Sequence, residues 1–130
     1  RAGDVIALSG GLGAGKTAFA RAFIRARGSA GPVPSPTFTL AQVYELPGGT
    51  IWHFDFYRLA RAEEAWELDI EDAFRDGISL IEWPERIGAL LPAHRLDIAL
   101  LLGASAGARR AQLSGSGDWT PRLKAIAAHA

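Results

Sequence analysis

Residues 10–17 read Gly-Gly-Leu-Gly-Ala-Gly-Lys-Thr, and no other stretch of this chain limits its architecture as strongly. Gly10, Gly15, Lys16 and Thr17 fill the spacing G-x-x-x-x-G-K-[ST]. An apolar run, Val5-Ile6-Ala7-Leu8, precedes it and suits a buried strand; Ala18 to Ile24 follows and suits a helix. In that strand–loop–helix setting the glycines let successive backbone N–H groups turn inward on an anion, and the helix N-terminus adds partial positive charge. The cradle predicted is Gly11, Leu12, Gly13, Ala14 and Gly15 with Lys16, Thr17 and Ala18. Lys16 reaches the β- and γ-phosphates of a nucleotide, and the Thr17 hydroxyl is a magnesium ligand.

Length and composition bound the rest. One domain is expected over residues 1–130, large enough for a hydrophobic core. Cysteine is absent, which excludes disulfides and thiolate metal sites. No apolar run approaches membrane-spanning length and no signal peptide opens the chain, so a cytoplasmic protein without a membrane role is expected. The chain opens only four residues before its first predicted strand, and an N-terminal segment is expected to be missing. Net charge is zero but unevenly spread: +4 over 1–44, −8 over 45–85 and +4 over 86–130. The acidic stretch reads first as a solvated helix face, and second as a surface for a basic partner. Without an overall positive excess, the chain is not expected to clamp tRNA by itself.

Along the chain, strands are predicted at Val5–Ser9, Thr37–Leu46, Thr50–Tyr57, Ile78–Glu82, Arg95–Leu102 and Ala108–Ser114. Helices are predicted over 15–26, over Leu59–Phe74 in one bent piece or two, over a short 85–91, and over Thr120–Ala128. Asp69 and Asp72 resemble an N-cap pair, and Trp66 falls on the predicted apolar stripe. In the second hairpin strand Trp52, Phe54 and Phe56 alternate onto a core face. Ile51, His53, Asp55 and Tyr57 fall on the other, expected to be more polar.

Hydrolysis needs a held metal and a positioned water as well as a phosphate cradle. Glu82 ends an apolar strand and is stopped by Pro84; Asp55 ends the aromatic strand. Ligands of open α/β sheets gather at strand carboxyl ends, and magnesium takes one or two carboxylates, so both acids are metal and catalytic candidates beside Lys16. Ser35-Pro36-Thr37 is either a strand-start turn or a switch segment sensing a γ-phosphate. Trp83 either stacks on a base or partner or caps the core. His53, His94 and His129 lack metal-ligand spacing, His53 being the hardest to dismiss. With no asparagine in the chain, the Asn-Lys-x-Asp guanine reader of GTPases is impossible, which favours ATP.

Taken together, Gly-Gly-Leu-Gly-Ala-Gly-Lys-Thr at 10–17, Ser-Pro-Thr-Phe-Thr-Leu at 35–40, His-Phe-Asp-Phe-Tyr-Arg-Leu at 53–59 and Ile-Glu-Trp-Pro-Glu at 81–85 resemble the bacterial TsaE (YjeE) family. The first block is widely shared; the other three, at this spacing, are specific. The resemblance implies an α/β P-loop NTPase fold with a mixed sheet flanked by helices. It implies Mg²⁺-dependent ATP binding, hydrolysis that is slow alone, and a place beside TsaD- and TsaB-like proteins in tRNA threonylcarbamoyladenosine (t6A) modification, with tRNA met through the complex. It assigns Lys16 and Thr17 to phosphate and metal, Asp55 and Glu82 to the site acids, Ser35 and Thr37 to the switch loop, and Trp83 to the site's flank. The chain departs from the family where a glycine common in the acidic helical region is Asp69. Two rival activities share the same loop: a small-molecule kinase, and a non-catalytic ATP-sensing docking module. Arg58, just past the Asp55 strand, is the candidate arginine finger, unless a partner supplies one.

Overall fold

The computed structural model describes residues 2–11, 15–36, 38–102, 109–117 and 119–128. Six strands form one sheet: β1 (Val5–Ser9), β2 (Ala41–Leu46), β3 (Gly49–Asp55), β4 (Ile78–Glu82), β5 (Leu96–Leu102) and β6 (Arg109–Gly115). Their spatial order is β2-β3-β4-β1-β5-β6. The four inner strands run parallel, and β2 and β6 pair antiparallel at the two edges. Every residue of β4 is buried, as a parallel strand covered on both faces requires. This is the mixed α/β sheet expected.

Helix α1 (Lys16–Ala26) covers one face, packing Ala20 and Ile24 with Ile6, Leu8, Ile51, Ile78 and Leu80. Trp119 of α3 (Trp119–Ala128) joins the same cluster. The opposite face carries Val5, Phe54, Phe56 and Ile81 against Leu59, Ala65, Ile70 and Ala73. Those last three come from a 3₁₀ helix (Ala62–Leu68) and from α2 (Ile70–Asp76). Phe54 and Phe56 stack at 5.4 Å, and each large side chain fully buried here contributes about 1.5–3 kcal/mol. Gly77 must lack a side chain: a Cβ there would stand 2.6 Å from the Trp52 ring and 3.0 Å from the Thr50 carbonyl oxygen.

Several expectations change. The Ile51, His53, Asp55 face of β3 is not a polar face, because α1 lies over it and Ile51, His53 and Asp55 are all buried. Residues 38–40 form a turn rather than the start of β2. The Pro36 carbonyl accepts from Leu40 N, and Leu40 stands at φ 68°, so the chain becomes extended only from Ala41. Of the two forms expected for the acidic segment, the two-helix one is found, broken at Asp69 in the left-handed region (φ 59°). Asp69 makes no side-chain cap and Asp72 pairs with Arg75 instead, so the N-cap pair does not form. Trp66 is not core. It is 47% exposed and lines a shallow groove with Asp69, Glu71, Asp72 and Arg75, because the 3₁₀ turn rotates it off the stripe that an α-helix would have made.

Candidate functional site

The site forms at the carboxyl ends of β1, β3 and β4, on the face covered by α1. Gly15 stands at φ 102°, a conformation that favours glycine, and the helix starts directly after it. Among the described residues, Phe19 N is the first amide to bond back, to Gly15 O, at 2.9 Å. The amides of Lys16, Thr17 and Ala18 therefore lie in the helix's first turn without an intrahelical acceptor. Among the described residues no acid occupies that turn and no side chain caps it, a geometry that can receive an anion. Leu12, Gly13 and Ala14 lie outside the described residues, as does Thr37.

Lys16 is 5% exposed and folds back over its own loop. Its Nζ donates to Gly10 O at 2.5 Å and Gly11 O at 3.1 Å, and sits 3.8 Å from the centre of the Trp83 ring. Burial lowers its pKa from the ordinary lysine value, while the carboxylates of Glu82, Glu85 and Asp55 oppose that shift. Trp83 reaches the ammonium because its backbone turns left-handed at φ 60° directly after β4. A left-handed non-glycine residue costs about 1–2 kcal/mol, and such outliers collect at functional sites. Tyr57 braces the Trp83 ring, its own ring centre 4.8 Å away.

The two acids arrive by register. Asp55 and Glu82 are direct partners across the parallel β3–β4 pair and are 5% and 2% exposed. Of the eleven acids between residues 45 and 85 these are the only two that are buried. The Thr17 hydroxyl donates to Glu82 Oε1 at 2.7 Å, which ties the start of α1 to the end of β4. Asp55 Oδ1 accepts from Tyr57 N at 3.0 Å, and Asp55 N donates to Leu40 O at 3.0 Å. The turn after Ser35 is thereby pinned to the strand carrying Asp55. Arg58, the candidate finger, lies over the Phe38 ring at 4.4 Å, and that ring is 80% exposed.

His53 is the site residue that sequence reasoning misses. Its Nε2 lies 2.6 Å from Glu82 Oε2, and the side chain is fully buried. The signal available is the strand period, since His53 shares a face with Asp55 two residues on; the expectation of an open face conceals it.

The donor set suits a hard cation. Thr17 Oγ1, Glu82 and Asp55 offer oxygen donors, and among the described residues no group of three or more His, Asp or Glu gathers as a metal cage. A cation here would complete its shell from phosphate and water, as magnesium does.

The family model described as "Threonylcarbamoyl adenosine biosynthesis protein TsaE" matches residues 1–111. A protein of Rickettsia bellii named tRNA threonylcarbamoyladenosine biosynthesis protein TsaE is 43% identical over 100 residues, covering 76% of this chain and 69% of its own. The Haemophilus influenzae protein of the same name is 46% identical over 89 residues, covering 68% and 56%. That of Bacillus subtilis is 38% identical over 99 residues, covering 75% and 61%. The crystal structure of B. subtilis YdiB superposes with a TM-score of 0.78 at 28% identity, over 98% of this chain and 79% of that one. Four sequence blocks, the P-loop fold and these likenesses agree, and the chain belongs to the TsaE family of threonylcarbamoyl adenosine biosynthesis proteins.

Proposed function

We propose that this protein is a Mg²⁺-dependent ATPase acting in the cytoplasm within a tRNA t6A modification assembly that includes TsaD- and TsaB-like proteins. The observation that carries the reading is the Thr17–Glu82 bond, which sets the start of the phosphate-binding helix against a buried strand-end carboxylate. In this reading the first-turn amides and Lys16 hold the β- and γ-phosphates. Lys16 exchanges the Gly10 and Gly11 carbonyls for phosphate oxygens, staying in the same pocket beside Trp83. A bound magnesium would supply charge neutralisation at the phosphates, held from Thr17 with Glu82 and Asp55 nearby. One of the two carboxylates orients the attacking water. Arg58 is engaged with the Phe38 ring, which accords with slow hydrolysis alone and acceleration by partners.

The test is phosphate release from ATP, measured for the protein alone and with TsaB- and TsaD-like partners and tRNA. Slow release alone and a partner-dependent rise are expected. Tight ATP binding without release in any mixture would replace the ATPase with a docking module. In parallel, Lys16→Ala should weaken ATP binding by about 2–3 kcal/mol, the worth of its charged hydrogen bonds; unchanged calorimetric affinity would reject the phosphate assignment.

A further inference from the structure

His53 stands opposite Leu80 in the β3–β4 register, one pleat below the Asp55–Glu82 pair, so its ring reaches Glu82 diagonally across the two strands. By register its neighbours on that face are Ile51 and Asp55 along β3, Leu80 on β4 and Gln42 on β2. A leucine would fill so buried a place without a desolvation penalty, whereas imidazole incurs one and makes a single bond in return. Nδ1 is buried without a partner among the described residues, so the bond to Glu82 is that bond. Facing a carboxylate acceptor, Nε2 is the ring nitrogen that donates.

Glu82 is consequently held at both oxygens, Oε2 by His53 and Oε1 by Thr17. A hydroxyl has one hydrogen. With that hydrogen committed to Glu82 Oε1, the lone pairs of Thr17 are left to face the phosphate pocket. We infer that His53 is a positioning residue for the site: it fixes the Glu82 carboxylate, which in turn aims the Thr17 hydroxyl oxygen where a cation is needed. This inference rests on the nucleotide reading above. It concerns the cation more than the nucleotide, because the bond His53 makes is to the Glu82 carboxylate.

Three variants separate this role from packing. His53→Gln would carry its amide nitrogen at the reach of Nε2, whereas His53→Asn would carry it at the place of Nδ1, where no partner stands among the described residues. His53→Leu fills the space with no donor. Binding of a fluorescent ATP analogue is measured with and without Mg²⁺, beside the melting temperature of each variant. Affinity without Mg²⁺ should stay within about twofold of the unsubstituted protein. The Mg²⁺ concentration for half-maximal tightening should rise about tenfold or more in His53→Leu and His53→Asn, the usual cost of losing a group that orients a site's ligands, and less than about threefold in His53→Gln. If His53→Leu fails to fold, the Gln and Asn variants decide. A wild-type Mg²⁺ response in the Leu variant, or equal loss in the Gln and Asn variants, overturns the inference while leaving the nucleotide site intact. An unsubstituted protein whose nucleotide binding ignores Mg²⁺ overturns both.

Discussion

Two side chains central to the proposed chemistry, Lys16 and Glu82, are each placed by something beyond their own identity. Lys16 is stored against Gly10 O, Gly11 O and the Trp83 ring, so the ammonium is already desolvated where a phosphate would arrive. Glu82 sits between two donors, Thr17 and His53. Removing it strips both of their acceptor at once, so Glu82→Ala should lower Mg²⁺-dependent turnover by about 10²-fold, within the range for losing a group that positions or deprotonates water. The milder Glu82→Gln keeps one acceptor oxygen and should leave the fold intact while turnover still falls. A phosphate-release assay giving wild-type rates for either variant would remove Glu82 from the mechanism.

At the scale of elements, the junction between the 3₁₀ helix and α2 is the clearest strained point. Asp69 holds φ 59° and makes no side-chain cap, so its side chain contributes nothing that compensates the left-handed backbone. Asp69→Gly should therefore stabilise the protein, by about 0.5–1 kcal/mol, with ATP binding unchanged. A urea midpoint that falls on this substitution would show that Asp69 makes a contribution its geometry does not reveal. Trp83 shares the same left-handed backbone, but there the turn lays the ring on Lys16 and Tyr57. Similar strain thus serves the site at one position and only redirects the chain at the other.

On the scale of the whole molecule, α3 is tied to the base of β1 by a two-pronged ion pair. Arg122 donates to Asp4 at 2.7 Å and 2.9 Å, joining positions 118 residues apart in the chain. Burial pushes the Asp4 carboxyl up, but Arg122 and the charge of the α-amino group oppose that, and its pKa ends below the ordinary 3.8. A depressed folded-state pKa means stability that is full above the unfolded value and lost as pH falls through the folded one. Asp4→Asn should accordingly lower stability by about 1–2 kcal/mol at pH 7, between the values of surface and buried pairs. The gap to the unsubstituted protein should close as pH falls below about 4. Melting curves that keep a constant gap from about pH 7 down to about pH 3 would show that the pair's charge is not what matters.

Local chemistry is enough to read the helix that follows Gly15, the six strands to within a few residues and the two acids at strand ends. These depend on spacing, alternation and glycine conformation, all carried by neighbours in the chain. Trp66, the 38–40 turn and His53 are not legible in the same way. Whether a strand face is open or covered depends on which helix packs over it, and the helix over His53 is a distant one in the chain, α1. Alternation alone puts His53 and Asp55 on one side of β3; only the parallel register with β4 brings Glu82 to both, and only α1 adds Thr17. Sequence determined which residues fill the phosphate-loop spacing and which acids end strands. Tertiary structure decided which of them touch, because contact across a sheet is set by register and covering helices that no local pattern encodes.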